Sequence, residues 1–169
     1  MDIYKNQKFK FNLKLRWVAL ANIVLLLAIA SSSSAQSTTS LNRYFRDDPR
    51  SLTGKGGGQI SLASIAKGAD NCRGFANTTP NHIITLNESF PLLGFLVESD
   101  NINDRPTMLI QGPKGISVCT DAQADGRFPN IRLSSPSGLL SKGDYQVWVG
   151  SRTSNQSFAY TLKLSETSQ

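Results

Sequence analysis

After residue 58 the apolar positions of the chain recur with period two in short runs, and no window of eleven or more residues carries a helical stripe. The clearest run is Gly143-Asp-Tyr-Gln-Val-Trp-Val-Gly150, where Tyr145, Val147 and Val149 share one face and Gln146 and Trp148 the other. The last run, Ser157 to Leu164, sets Phe158, Tyr160, Leu162 and Leu164 against Ala159, Thr161 and Lys163. Ser151 to Gln156 between them reads as a hairpin loop, so these two strands are expected to pair. Further strands are expected over 59–65, 82–86, 92–98, 107–111, 116–119 and, more weakly, 128–133. The prolines at 80, 91, 106, 113, 129 and 136 sit at run edges or in turns, where a missing N–H does little harm. About eight short strands predict an all-β fold, an antiparallel β-sandwich or small barrel.

The first 58 residues read differently. Residues 1–16 hold Lys5, Lys8, Lys10, Lys14 and Arg16 against Asp2 alone. Fourteen residues from Trp17 to Ala30 follow with Asn22 as the one polar member, and then Ser31 to Ser34, Ala35 and Gln36. A basic start, a short apolar stretch and small residues at 33 and 35 make a signal peptide over 1–35, cut between Ala35 and Gln36. The rival reading is an uncleaved anchor. Fourteen helical residues rise about 21 Å, short of the roughly 30 Å hydrocarbon core, so export with no stable membrane span after cleavage is expected, to the periplasm or outside the cell. Residues 36–58 are polar and end in Gly54-Lys-Gly-Gly-Gly58, which predicts a flexible linker followed by the β domain over 59–169. A phosphate loop would need four residues between its first Gly and a G-K-[ST] end, and a helix after it.

The net charge of +6 over 169 residues changes meaning with this division. Five of the 18 Lys+Arg and one of the 12 Asp+Glu lie in residues 1–16, which leaves +2 for the rest. A nucleic-acid partner is therefore not implied. Export makes Cys72 and Cys119, both after the leader, an expected disulfide. A loop of 47 residues would contribute about 4 kcal/mol on the chain-entropy model. The alternative is two buried free thiols.

Candidate chemistry is sparse. His82 is the single histidine, with no Cys or carboxylate at metal-ligand spacing, which argues against zinc. A Ser-His-Asp set meets only in space, so a small secreted serine hydrolase using His82 stays open, although G-x-S-x-G is absent. Asp100, Asp104, Asp121 and Asp125 fall in two loops, 98–106 and 119–127, which either are solvated turns or share a Ca²⁺ ion; 121–126 lacks the alternation of an EF-hand. No cofactor is otherwise implied. Trp148 is the one tryptophan after the leader. It is a candidate ligand contact, stacking on a sugar, although packing beneath the arm or a second sheet is the expected role.

Six segments carry a family resemblance. They are Cys72-Arg-Gly-Phe-Ala76, Pro80-Asn-His-Ile-Ile-Thr-Leu86, Thr107-Met-Leu-Ile-Gln-Gly-Pro-Lys-Gly115, Val118-Cys-Thr-Asp121, Phe128-Pro-Asn-Ile131 and Gly143-Asp-Tyr-Gln-Val-Trp-Val-Gly-Ser151. In this order they resemble the small exported domains of the bacterial pre-peptidase C-terminal type, especially the stand-alone versions common in cyanobacteria. The resemblance runs from Cys72 to Glu166 and implies a jelly-roll-like sandwich without catalysis, an accessory or binding module. The chain departs from the pattern where Arg105 and Pro106 follow Asp104, and where Thr120-Asp121-Ala122 replaces consecutive acidic residues. Together these readings imply a non-catalytic exported protein that binds a protein or polysaccharide of the cell envelope; a structural surface protein is the further alternative.

Overall fold

The computed structural model describes residues 36–66, 72–121, 128–133 and 140–167. The leader, Asp125 and the segment around Pro136 lie outside them. The described strands are β1 (Ser37–Leu41), β2 (Arg50–Gly57), β3 (Ile60–Ser61), β4 (Phe75–Ala76), β5 (His82–Leu86), β6 (Leu93–Glu98), β7 (Pro106–Gly112), β8 (Ile116–Asp121), β9 (Asn130–Leu133), β10 (Gly143–Ser151) and β11 (Ser157–Ser165). One helical turn, α1 (Leu62–Ile65), follows β3. They form two sheets, an all-β sandwich.

β10 is the centre of the first sheet. It pairs antiparallel with β7 along one side and with β5 on the other, and touches β4 at Ser151. β8 lies outside β7, and β1 runs parallel to β5. Asn81 fills the gap between β5 and β4: its N–H donates to the Val147 carbonyl at 2.8 Å, and its Oδ1 accepts from the Val149 N–H at 2.8 Å. Its Nδ2 reaches the second sheet, donating to the Lys55 carbonyl at 2.8 Å. That second sheet has the order β2-β11-β6-β9.

The alternation read from β10 and β11 sets the core. Tyr145, Val147 and Val149 meet Phe158, Tyr160, Leu162 and Leu164 between the sheets, with Phe95, Val97, Met108, Ile110, Ile84 and Leu86 around them. The expected pairing of β10 with β11 does not occur, because each strand has an apolar face to bury against the other. Two such strands facing each other across about 10 Å belong to different layers, so residues 152–156 cross between sheets instead of closing a hairpin.

The linker expected over 36–58 is corrected in the same way, since it supplies β1 and β2. Its glycines are packing positions. Gly54 is in register with Tyr160 and Gly56 with Phe158. A Cβ on Gly54 would stand 2.5 Å from the Tyr160 oxygen, and one on Gly56 2.6 Å from Phe158 Cζ. Two aromatic rings lie over backbone that has no side chain, a known use of glycine inside strands. The strand expected over 59–65 is a second correction: β3 is two residues long, and the chain then turns through α1 so that Leu62 is buried.

Candidate functional site

The inward half of β11 builds the core, and the outward half builds a solvent-facing surface. Ala159 and Thr161 point away from the core. Register places Thr161 between Thr53 of β2 and Glu98 of β6, and Ala159 beside Lys55. Small side chains on the middle strand and longer ones on its neighbours leave a trough over β11. Its walls rest on strands two spacings, roughly 10 Å, apart. The Lys163–Glu98 ion pair, 2.7 Å, lies along the same strands. Ser99, Asp100 and Phe128, which precedes β9, complete a cleft of about 580 Å³. That volume lies within the range of small-ligand sites.

The groups in this cleft divide by chemistry. Lys55 offers an ammonium on one wall and Asp100 a carboxylate on the other, each without a partner among the described residues. Thr53 and Thr161 add hydroxyls, and Phe128 adds a ring. Such a lining can hydrogen-bond a hydroxyl-rich ligand and stack against one flat face of it. It holds no paired nucleophile and base.

His82 lies beneath this sheet and is 1% exposed. Its Nδ1 is 2.5 Å from Ser37 Oγ, and its Nε2 is 2.6 Å from the Tyr160 hydroxyl. The three residues tie β1, β5 and β11 together. Burial pulls the imidazole pKa down to about 4. Burial also pushes the Tyr160 phenol up, offset in part by a hydrogen bond from Asn81. A neutral imidazole needs one donor and one acceptor, and two hydroxyls can serve both. A hydrolytic triad instead needs a carboxylate on the second ring nitrogen, a place that a phenol fills here.

The remaining sequence-derived candidates separate. Trp148 is 4% exposed, and its Nε1 donates to the Thr78 carbonyl at 3.2 Å. It packs on the outer face of β10 with Leu62, Ala66, Cys72, Ala76 and Leu109. It is therefore a core residue instead of a ligand contact, because Leu62 of α1, Ala66 after it and Cys72 cover the face on which it lies. Cys72 and Cys119 form a disulfide with Cα atoms 5.2 Å apart, inside the usual range. Of the loop carboxylates, Asp121 is paired with Arg152, Asp104 Oδ1 accepts from Gln156 Nε2 at 3.5 Å, and Asp100 lines the cleft. No three metal-ligating side chains come together among the described residues; Asp125, the fourth carboxylate of the Ca²⁺ alternative, lies outside them. Lys55, Asp100, Ala159, Thr161 and Phe128 were not legible as one site. The available signal was the run of small outward residues on the last strand.

No protein-family model matches the chain, and no curated protein does. Solved structures similar to it include two of low sequence identity. One is the pre-peptidase C-terminal domain of collagenase from Bacillus anthracis, 11% identical, with a TM-score of 0.42, covering 78% of this chain and 98% of that one. The other is PliG from Aeromonas hydrophila, a periplasmic lysozyme inhibitor of g-type lysozyme, 14% identical, with a TM-score of 0.34 and the same two coverages. The first is the domain type that the sequence segments resemble. At these values neither likeness assigns an activity or a partner.

Proposed function

We propose that this protein is an exported, non-catalytic binding module of the cell envelope, with a domain like the pre-peptidase C-terminal type. In this reading residues 1–35 are removed between Ala35 and Gln36, which leaves β1 to begin one residue later. The Cys72–Cys119 disulfide supports export, since such bonds persist in oxidising compartments. The ligand of the cleft over β11 is a short stretch of envelope polysaccharide. The observation that carries this is the lining: a ring at Phe128, hydroxyls at Thr53 and Thr161, and opposite charges at Lys55 and Asp100, around a floor opened by Ala159. Aromatic faces stack on sugar rings, and charged and hydroxyl groups orient them.

The test is a titration of the isotope-labelled mature protein with soluble polysaccharide fragments from its host's envelope, followed by amide shifts. Shifts centred on Ala159 and Thr161, lost in Phe128→Ala and weakened about tenfold in Lys55→Ala, support the reading. Shifts elsewhere, or none, refute it. A cleft that answers instead to a purified envelope protein would replace the polysaccharide and keep the binding module.

A further inference from the structure

The turn between β1 and β2, residues 42–49, carries two adjacent aromatic rings with opposite fates. Phe45 packs against the main core. Tyr44 is 79% exposed, the most open large hydrophobic side chain among the described residues. Its backbone is left-handed, with φ 57°, a conformation that glycine and asparagine enter readily and an aromatic residue rarely does. The turn explains the left-handed residue, since the chain must reverse there for Phe45 to enter the core. It does not explain the tyrosine. Asparagine or glycine would make the same turn with less strain and would expose no ring.

Both sheets hold this backbone in place. The carboxylate of Glu88, after β5, accepts from the Arg43 N–H at 2.8 Å, and that of Glu166, after β11, accepts from the Tyr44 N–H at 2.5 Å. Asp48 in turn accepts from the Glu166 N–H at 3.0 Å. The Arg43 guanidinium lies 4.7 Å from the Tyr44 ring centre, and its Nη2 donates to the Tyr44 hydroxyl at 2.5 Å. The ring is therefore oriented before any partner arrives, which lowers the ordering cost of binding. Tyrosine and arginine are also the residue types that dominate binding energy at protein interfaces.

We infer that Tyr44 is the anchor of a protein-docking surface. Its ring fills an apolar pocket on a second protein, and the Arg43 guanidinium that lies against the ring enters with it. A protein fits better than an acidic polymer, because the carboxylates of Asp47, Asp48, Glu88 and Glu166 are tied into the same turn as Arg43, Arg46 and Arg50, four negative charges against three positive, and leave no net positive field. A single protruding ring is a knob, not a platform for a chain of sugars. The surface shares no residue with the cleft over β11, so either can fail alone.

The experiment places photoreactive benzoylphenylalanine at position 44 of the full chain in its host, with the same group at the exposed Val118 of β8 as control. The expected result is one discrete protein adduct from position 44 and none from 118. The partner is then identified by mass spectrometry, purified and titrated. Tyr44→Asn should weaken its binding by about 30-fold or more while the thermal midpoint of the variant stays the same or rises. No protein adduct, an adduct of two copies of this chain, a polysaccharide adduct or equal yields from both positions would each overturn the inference. So would unchanged affinity in Tyr44→Asn. A midpoint several degrees lower in that variant would make Tyr44 a structural residue and overturn it as well.

Discussion

The two faces of β10 are buried by different means. On its inner face Tyr145, Val147 and Val149 join a cluster of seventeen buried residues between the sheets, contributed by strands that backbone pairing already holds. On its outer face Trp148 joins a cluster of six, covered by Leu62 of α1, Ala66 after it and Cys72. The inner cluster is held by its own area, since each large side chain taken from water contributes about 1.5–3 kcal/mol. The outer one has six members, and a covalent tie from Cys72 to Cys119 adds to what their packing supplies. The lesson is that a sheet face need not be sandwiched to be dry. A one-turn helix and a disulfide suffice for one tryptophan.

This contrast can be broken from either side. The largest effect is expected for Phe95→Ala, which empties a fully buried site between the sheets; it should cost about 3–5 kcal/mol in chemical denaturation. The next comes from pH, at the polar end of the same core. His82 is held neutral in the folded protein with a pKa of about 4, against 6.5 when unfolded. The unfolded chain therefore takes up the proton first as pH falls. Stability is full above pH 6.5 and drains between 6.5 and 4, by roughly 3 kcal/mol at the low end. Urea midpoints at about pH 7 and about pH 4.5, on either side of most of that window, should move less in His82→Gln than in the parent. Equal shifts would show that other groups carry the acid sensitivity.

Smaller effects belong to the outer cluster. Replacing both cysteines by serine should cost about 2–4 kcal/mol, with Trp148 fluorescence shifting to longer wavelength while the far-ultraviolet dichroism of the sheets persists. A coincident loss of both signals would mean that the two faces are one cooperative unit. Trp148→Phe removes the hydrogen bond to Thr78 and part of the packing, and about 1–2 kcal/mol is expected. An effect as large as that of Phe95→Ala would erase the distinction between the clusters.

Much of this arrangement is legible in the order of residues. The period-two faces of β10 and β11 can be read position by position, and each of their inward residues, from Tyr145 to Leu164, is in the inner cluster. The runs at 82–86, 92–98, 107–111 and 116–119 are strands within one or two residues. The errors share a cause. Gly54-Lys-Gly-Gly-Gly58 reads as a linker because glycine carries no apolar pattern, yet Phe158 and Tyr160 need that bare backbone opposite them. Ser37, which reads as part of a polar arm, is the partner of His82. The cleft is invisible in the sequence because Lys55, Asp100, Phe128 and Thr161 are far apart in the chain and meet only through strand register.

The amino-acid sequence alone determined the fold class, the identity of the buried faces and the cysteine pair, because alternation and composition are local properties written into neighbouring positions. Tertiary structure decided which strands pair, that β10 and β11 face each other instead of joining, and what covers Trp148. It also decided that a glycine-rich stretch is a strand. Those outcomes depend on which surfaces are left over once every apolar face has found a partner, and that is a property of the whole chain.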